Sequence, residues 1–191
     1  MGERGCIGVP LVRRCVLDKK LVASKLDLVV ERLKNLQRPA NEQALAASLQ
    51  DGGKAVGLYA RDFGIEAWDW PQGVGLYGLY QLQAGNKDSG IRAFLKDWYA
   101  GHFRKGLPVR NINTTIPLLA LTWLLDEMGP ECRSSCQDWA EWLINGLPKT
   151  RENGFQHTTT KDAAAGTINL NEGQIWMDTL FMTVLFLARM G

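Results

Sequence analysis

The chain's last eighteen residues, Gln174-Ile-Trp-Met-Asp178-Thr-Leu-Phe-Met-Thr-Val-Leu-Phe-Leu-Ala-Arg-Met-Gly191, restrict its fold more than any other stretch. From Thr179 onward there is one charge, Arg189, and two threonines, so nearly every face of the implied helix is apolar. Such a helix is stable in water only when other helices enclose it. Asp178 stands at its mouth, where two readings remain open. A carboxylate there is a favoured helix cap, accepting a backbone N–H and suiting the positive end of the dipole. It can also be a catalytic acid, because a wall of Trp176, Leu180 and Phe181 would raise its pKa towards working pH, although spacing alone favours the cap.

Two more nearly apolar helices precede it. The run Trp68-Asp-Trp70-Pro71-Gln72-Gly73-Val-Gly-Leu-Tyr77-Gly-Leu-Tyr80 places Pro71 in a first helical turn. Its glycines cost helix propensity unless a close neighbour or a ligand needs the room. The run Asn111-Ile-Asn113-Thr114-Thr115-Ile116-Pro117 leads into an apolar helix over 118–128, closed by Gly129-Pro130.

Between them lie helices with apolar residues on one side only. Leu21, Val22, Leu26, Val29, Val30, Leu33 and Leu36 follow the i, i+3, i+4, i+7 template, and 88–103 and 134–146 behave likewise. A short helical piece is expected at 42–49, while Asn153-Gly-Phe-Gln-His157 and the Ala- and Thr-rich stretch after it read as loop. Strand-like alternation is nearly absent. Apolar helices alternating with amphipathic ones predict an all-α fold of stacked helical hairpins, the inner helices forming a ring and the outer ones covering it.

Composition narrows the function. With 191 residues, 46% of them hydrophobic, the chain suits a single domain, 1–191, with a real core. A net charge of +2, with Lys and Arg scattered rather than striped, excludes a nucleic-acid footprint. The polar content excludes a membrane protein. Pro10, Arg13 and Arg14 break the apolar run 5–17 before it reaches secretory length, so no signal peptide is evident and a cytoplasmic location is expected. Met1-Gly2 lacks the Ser or Thr that myristoylation asks for at the sixth position, which is Cys6. Cys132 and Cys136 lie one turn apart without nearby histidines, so with Cys6 and Cys15 they read as ordinary thiols, and no metal or cofactor is implied.

Four motifs taken in order, Trp68-Asp-Trp-Pro-Gln-Gly-Val-Gly-Leu-Tyr-Gly-Leu, Asn111-Ile-Asn-Thr-Thr-Ile-Pro, Gly154-Phe-Gln-His157 and Gln174-Ile-Trp-Met-Asp178-Thr-Leu-Phe-Met, resemble the unsaturated rhamnogalacturonyl hydrolases of glycoside hydrolase family 105. The resemblance covers nearly everything after residue 60. It implies an (α/α)6 barrel of which this chain supplies about three hairpins, a partial toroid expected to be the N-terminal part of a longer protein. Uncovered inner helices would then expose an apolar surface and favour self-association.

The resemblance also implies a substrate, an oligosaccharide ending in a 4,5-unsaturated galacturonyl residue, and hydration of its double bond by a protonated carboxyl group. That group is Asp178 by its place in the motif. Trp68, Trp70, Gln72, Asn113, His157, Gln174 and Trp176 are implied to border the sugar. Asn113 stands where many relatives carry a second Asp; it can hydrogen-bond a hydroxyl or water but cannot hold a charge. The alternative function is a noncatalytic helical-repeat module that binds a protein or a carbohydrate.

Overall fold

A computed structural model of the chain describes residues 18–37 and 64–191. Cys6, Cys15, the N-terminal apolar run and the expected short helix at 42–49 lie outside the described residues.

The helices are α1 (Lys19–Lys34), α2 (Trp70–Asn86), α3 (Ser89–Lys105), α4 (Ile112–Leu121), α5 (Pro130–Asn145), α6 (Met177–Thr179) and α7 (Leu185–Met190). A π-helical segment, Leu180–Val184, joins the last two into one continuous run. Local chemistry starts the first five of them. Asp18 and Asp88 cap α1 and α3 through backbone amides, and Pro71 and Pro130 sit in the first turns of α2 and α5. Asn111 and Thr114 cap α4 reciprocally, side chain to backbone in both directions.

All ten residues of α4 are buried, and it packs between α2 on one side and the π segment and α7 on the other. These three are the inner helices. Closest approach to α2 occurs at Gly73, where a Cβ would stand 2.6 Å from Ile116 Cγ2 and 2.6 Å from the Pro117 backbone nitrogen. Here glycine is required by contact, not by backbone angle. Pro117 leaves α4 one amide short, and the carbonyl of Pro117 itself accepts a 2.6 Å bond from the buried Tyr99 hydroxyl of α3. The outer helices α3 and α5 cover α2 and α7 respectively, which completes a row of inner and outer layers. The all-α, partial-toroid reading holds.

Several details differ from the sequence expectation. The helix placed at 118–128 begins at Ile112, and its α winding ends at Leu121. Beyond it the amides of Trp123, Leu124 and Glu127 each reach back three residues, and the Thr122 hydroxyl takes the Leu119 carbonyl at 2.7 Å, so the chain tightens into turns. The Ala- and Thr-rich stretch is an antiparallel hairpin, β1 (Thr158–Asp162) with β2 (Thr167–Leu170). Asp162 Oδ1 closes its turn by accepting from the amides of Ala164 and Ala165, and Gly166 supplies a φ of 63°. The final helix is not enclosed on every side. Thr179, Met182, Thr183 and Phe186 face the core, whereas Leu180, Val184 and Leu185 are exposed. In α1 no residue is buried, and only Val30 and Leu33 pack against the core.

Candidate active site

Two inner-helix starts, those of α4 and α6, meet the loop that carries His157 and the hairpin after it. The buried hairpin end ties that loop to α4: Asn111 Nδ2 donates to Thr160 Oγ1 at 2.9 Å, and the Ile112 amide donates to Thr158 Oγ1 at 3.2 Å. His157 is the residue immediately before β1. Its amide donates to the Gln174 carbonyl at 2.9 Å and its carbonyl accepts from the Asn171 amide at 3.0 Å, so the 171–174 turn grips its backbone.

His157 is 1% exposed. Trp176 lies flat on it, ring centroids 3.9 Å apart and planes 4° from parallel. The indole N–H of Trp176 donates in turn to Gln174 Oε1 at 2.9 Å. Nδ1 of His157 faces two oxygens, Thr179 Oγ1 at 3.4 Å and Asp178 Oδ1 at 4.0 Å. Burial lowers the His157 pKa below its ordinary value, an effect the nearby Asp178 carboxylate partly opposes.

Asp178 corrects one sequence reading. Trp176 occupies the cap position of α6 and no side chain makes a cap bond there, so Asp178 sits inside the first turn instead of capping it. The helix dipole still favours its negative charge. Its side chain is 44% exposed, and because Trp176 and Leu180 are exposed too, the wall expected around it stands open in this chain.

The other expected residues divide. Gln174, Trp176, His157 and Asp178 form one contiguous cluster through the contacts just given. Gln72 and Asn113, at the starts of α2 and α4, are 2% and 6% exposed, and each has one side-chain oxygen without a hydrogen-bond partner. Gln72 is oriented by its amide, which donates to the Gly64 carbonyl at 2.6 Å. Buried, unpaired acceptors of this kind ask for a donor. Trp70 is exposed at the first turn of α2.

Trp68 is not on the rim. It is buried, stacks on Trp98 at 5.1 Å, and donates its indole N–H to the Thr114 carbonyl at 2.8 Å, which fastens the entry of α2 to α4. Sequence reasoning missed Asn111 as the cap of α4, although the Asn-x-x-Thr spacing signals it, and missed Thr179, for which no sequence signal existed beyond its place beside Asp178. Among the described residues no three His, Cys, Asp or Glu side chains are grouped to hold a metal ion, and no helix is long and apolar enough to cross a membrane. Cys132 and Cys136 are buried in α5, and burial pushes their thiols up to about 11 and about 12, so they are inert.

Comparison with known proteins places this geometry among sugar hydrolases. The sequence profile described as Glycosyl Hydrolase Family 88 matches residues 60–191. The unsaturated rhamnogalacturonyl hydrolase YesR of Bacillus subtilis (strain 168) is 31% identical over 126 residues, which are 65% of this chain and 35% of that protein. Crystal structures of possible members of the GH105 family from Klebsiella pneumoniae and Salmonella enterica superpose on all of this chain with a TM-score of 0.73 at 30% identity. This chain covers 47% of each of them, so it spans about a third to a half of the length of these relatives.

Proposed function

The chain belongs to Glycosyl Hydrolase Family 88, and from that premise we propose that it contributes the acid side of a site that hydrates unsaturated galacturonyl oligosaccharides derived from rhamnogalacturonan. The observation that carries this reading is the half-exposed Asp178 carboxyl at the mouth of an inner helix, 4.0 Å from a buried histidine that Trp176 holds flat.

The substrate's terminal ring carries a C4=C5 enol ether conjugated to its carboxylate. Asp178, protonated, gives its proton to C4, and the positive charge that develops is shared between C5 and the ring oxygen. Water adds to C5 and returns a proton to the Asp178 carboxylate. The hemiketal so formed opens to a ketone, and the hemiacetal left at C1 releases the next sugar as an alcohol. Asp178 thus acts as acid and then as base without forming a bond to the sugar.

The surroundings support the positioning half of this chemistry. The unpaired oxygens of Gln72 and Asn113 are acceptors still open to a donor such as a hydroxyl or water, although both residues are buried in this chain. Exposed faces of Trp70 and Trp176 suit stacking on a pyranose ring. Trp68 supports the site by fixing α2 against α4.

The conjugated double bond absorbs in the ultraviolet, so its loss follows turnover directly. Incubation with an unsaturated disaccharide should bleach that absorbance, and Asp178→Asn should slow it by about two to four orders of magnitude while leaving the fold intact. A folded Asp178→Asn protein that turns over at the parent rate would sink the assignment.

A further inference from the structure

Two consecutive residues of the α6 turn present an oxygen to the same ring nitrogen. Thr179 Oγ1 lies 3.4 Å from His157 Nδ1 and Asp178 Oδ1 lies 4.0 Å from it. A single N–H makes one good hydrogen bond, so the two oxygens compete for it. At these distances the hydroxyl makes a long hydrogen bond and the carboxylate lies beyond hydrogen-bond reach. The residues also differ in setting: Thr179 is 3% exposed, packed against the core, whereas Asp178 opens to solvent.

We propose that Thr179 is a positioning residue that accepts the Nδ1 proton of His157 and thereby keeps the Asp178 carboxyl unpaired and available to a substrate. This rests on the reading of Asp178 as the acid. A carboxylate locked to an imidazolium by a charge-assisted bond is held ionised, the wrong form for a proton donor. A neutral hydroxyl on the same nitrogen satisfies the buried ring without drawing the carboxylate in.

The hydroxyl is well held for this task. The Thr179 amide donates to the Trp176 carbonyl at 3.1 Å, and the Thr179 carbonyl accepts from the Thr183 hydroxyl at 2.6 Å. Trp176, flat on the imidazole, prevents the ring from turning away. Burial disfavours the imidazolium, so the ring rests neutral, and Asp178 is the one titratable group that acts on it among the described residues. A carboxylate near Nδ1 favours the tautomer that carries its proton there.

The sequence holds only two histidines, His102 and His157, so long-range ¹H–¹⁵N spectra of the uniformly labelled protein resolve both imidazoles. His102 is recognised by its titration midpoint of about 4. His157 should give the pattern of a neutral ring with the proton on Nδ1. In Thr179→Val the acceptor left facing Nδ1 among the described residues is Asp178, so the His157 midpoint should rise by roughly one pH unit as the pair closes. Thr179→Ser should keep the parent midpoint, and Asp178→Asn in the Val background should cancel the rise.

A proton on Nε2 in the parent protein, or an unchanged midpoint in a folded Thr179→Val protein, overturns the proposal. Should Thr179→Val fail to fold, the parent tautomer and Thr179→Ala still decide it. The spectra need no turnover, so they stand or fall separately from the assignment of substrate. Where turnover is measurable, Thr179→Val should lower kcat more than it raises KM, and Thr179→Ser should restore it.

Discussion

A methyl group added at two positions of α2 should act with opposite sign. At Gly73 the new carbon would lie 2.6 Å from both Ile116 Cγ2 and the Pro117 nitrogen, about 1 Å inside normal van der Waals contact. Ile116 can shift its methyl, but Pro117 N is backbone in the middle of a fully buried helix and cannot rotate away. Gly73→Ala must therefore push α2 and α4 apart along their main contact. Overpacking of this kind costs about 1–3 kcal/mol, and a backbone clash belongs at the upper end. Replacing a helical glycine returns about 1 kcal/mol, leaving a net loss of about 1–2 kcal/mol. At Gly78, five residues on, an added Cβ meets nothing within 4 Å, so Gly78→Ala collects only the propensity gain. For a chain of this size about 1 kcal/mol moves Tm by roughly 2–4 °C. Thermal melts followed by far-ultraviolet circular dichroism should show Gly73→Ala lower than the parent by about 2–8 °C and Gly78→Ala higher by about 2–4 °C. A Gly73→Ala protein as stable as Gly78→Ala would refute the close-contact argument. It would also remove the reason for expecting Gln72, next in the chain to Gly73, to be rigidly held.

Acid should weaken the fold through His102, which burial between Trp68 and Trp98, with Lys105 adding to it, holds at about 4 against an ordinary 6.5. The unfolded chain takes up this proton first, so the contribution is full above about pH 6.5 and is lost as pH falls towards 4. Allowing for partial solvent access it amounts to about 1–2 kcal/mol, and His102→Gln should flatten the stability profile over that window in urea titrations. Trp68→Phe keeps the stacking but loses the bond to the Thr114 carbonyl, and should cost about 1–2 kcal/mol in the same titrations; no loss would mean that the bond does not tie α2 to α4. Thr183→Val removes the hydroxyl that holds the Thr179 carbonyl at 2.6 Å and should cost about 1 kcal/mol, with hydrogen exchange rising at 177–184; unchanged exchange would separate the hydroxyl from the order of that turn.

The fold was legible wherever burial imposes a period. The apolar runs 118–128 and 179–190 announce inner helices because no charged face interrupts them, and Pro71 marks a start that the structure keeps, while Gly129 and Pro130 prove to begin α5 rather than to close α4. The hairpin escaped notice because its alternation is carried by threonines: among β1 and β2 only Thr158 is buried, so no apolar stripe reveals it. The end of α4 was misplaced for a related reason. Leu124 and Leu125 are buried like the helix before them, and burial alone cannot distinguish an α turn from the tighter turns that Thr122 initiates by bonding back to Leu119.

The sequence foretold that His157, Gln174, Trp176 and Asp178 lie together, but not how each expected residue is buried or oriented. Trp68 and Trp70 stand two residues apart in one motif, yet one is locked into the core through Thr114 and the other faces solvent, because Trp70 begins α2 and Trp68 lies before its cap at Asp69. Aromatic identity says that a large surface needs covering and does not say by what. The same limit applies at the last helix. Its pattern of Thr179, Met182, Thr183 and Phe186 reads as an ordinary helical stripe, while the backbone winds as a π segment from Leu180 to Val184 directly after Asp178. π segments recur at functional sites, where a wider turn re-aims the side chains at its start. Here that start presents a carboxyl to solvent and a hydroxyl to a buried imidazole. A sequence can supply both groups, but only the winding of the turn sets the hydroxyl beside the ring and leaves the carboxyl open to solvent.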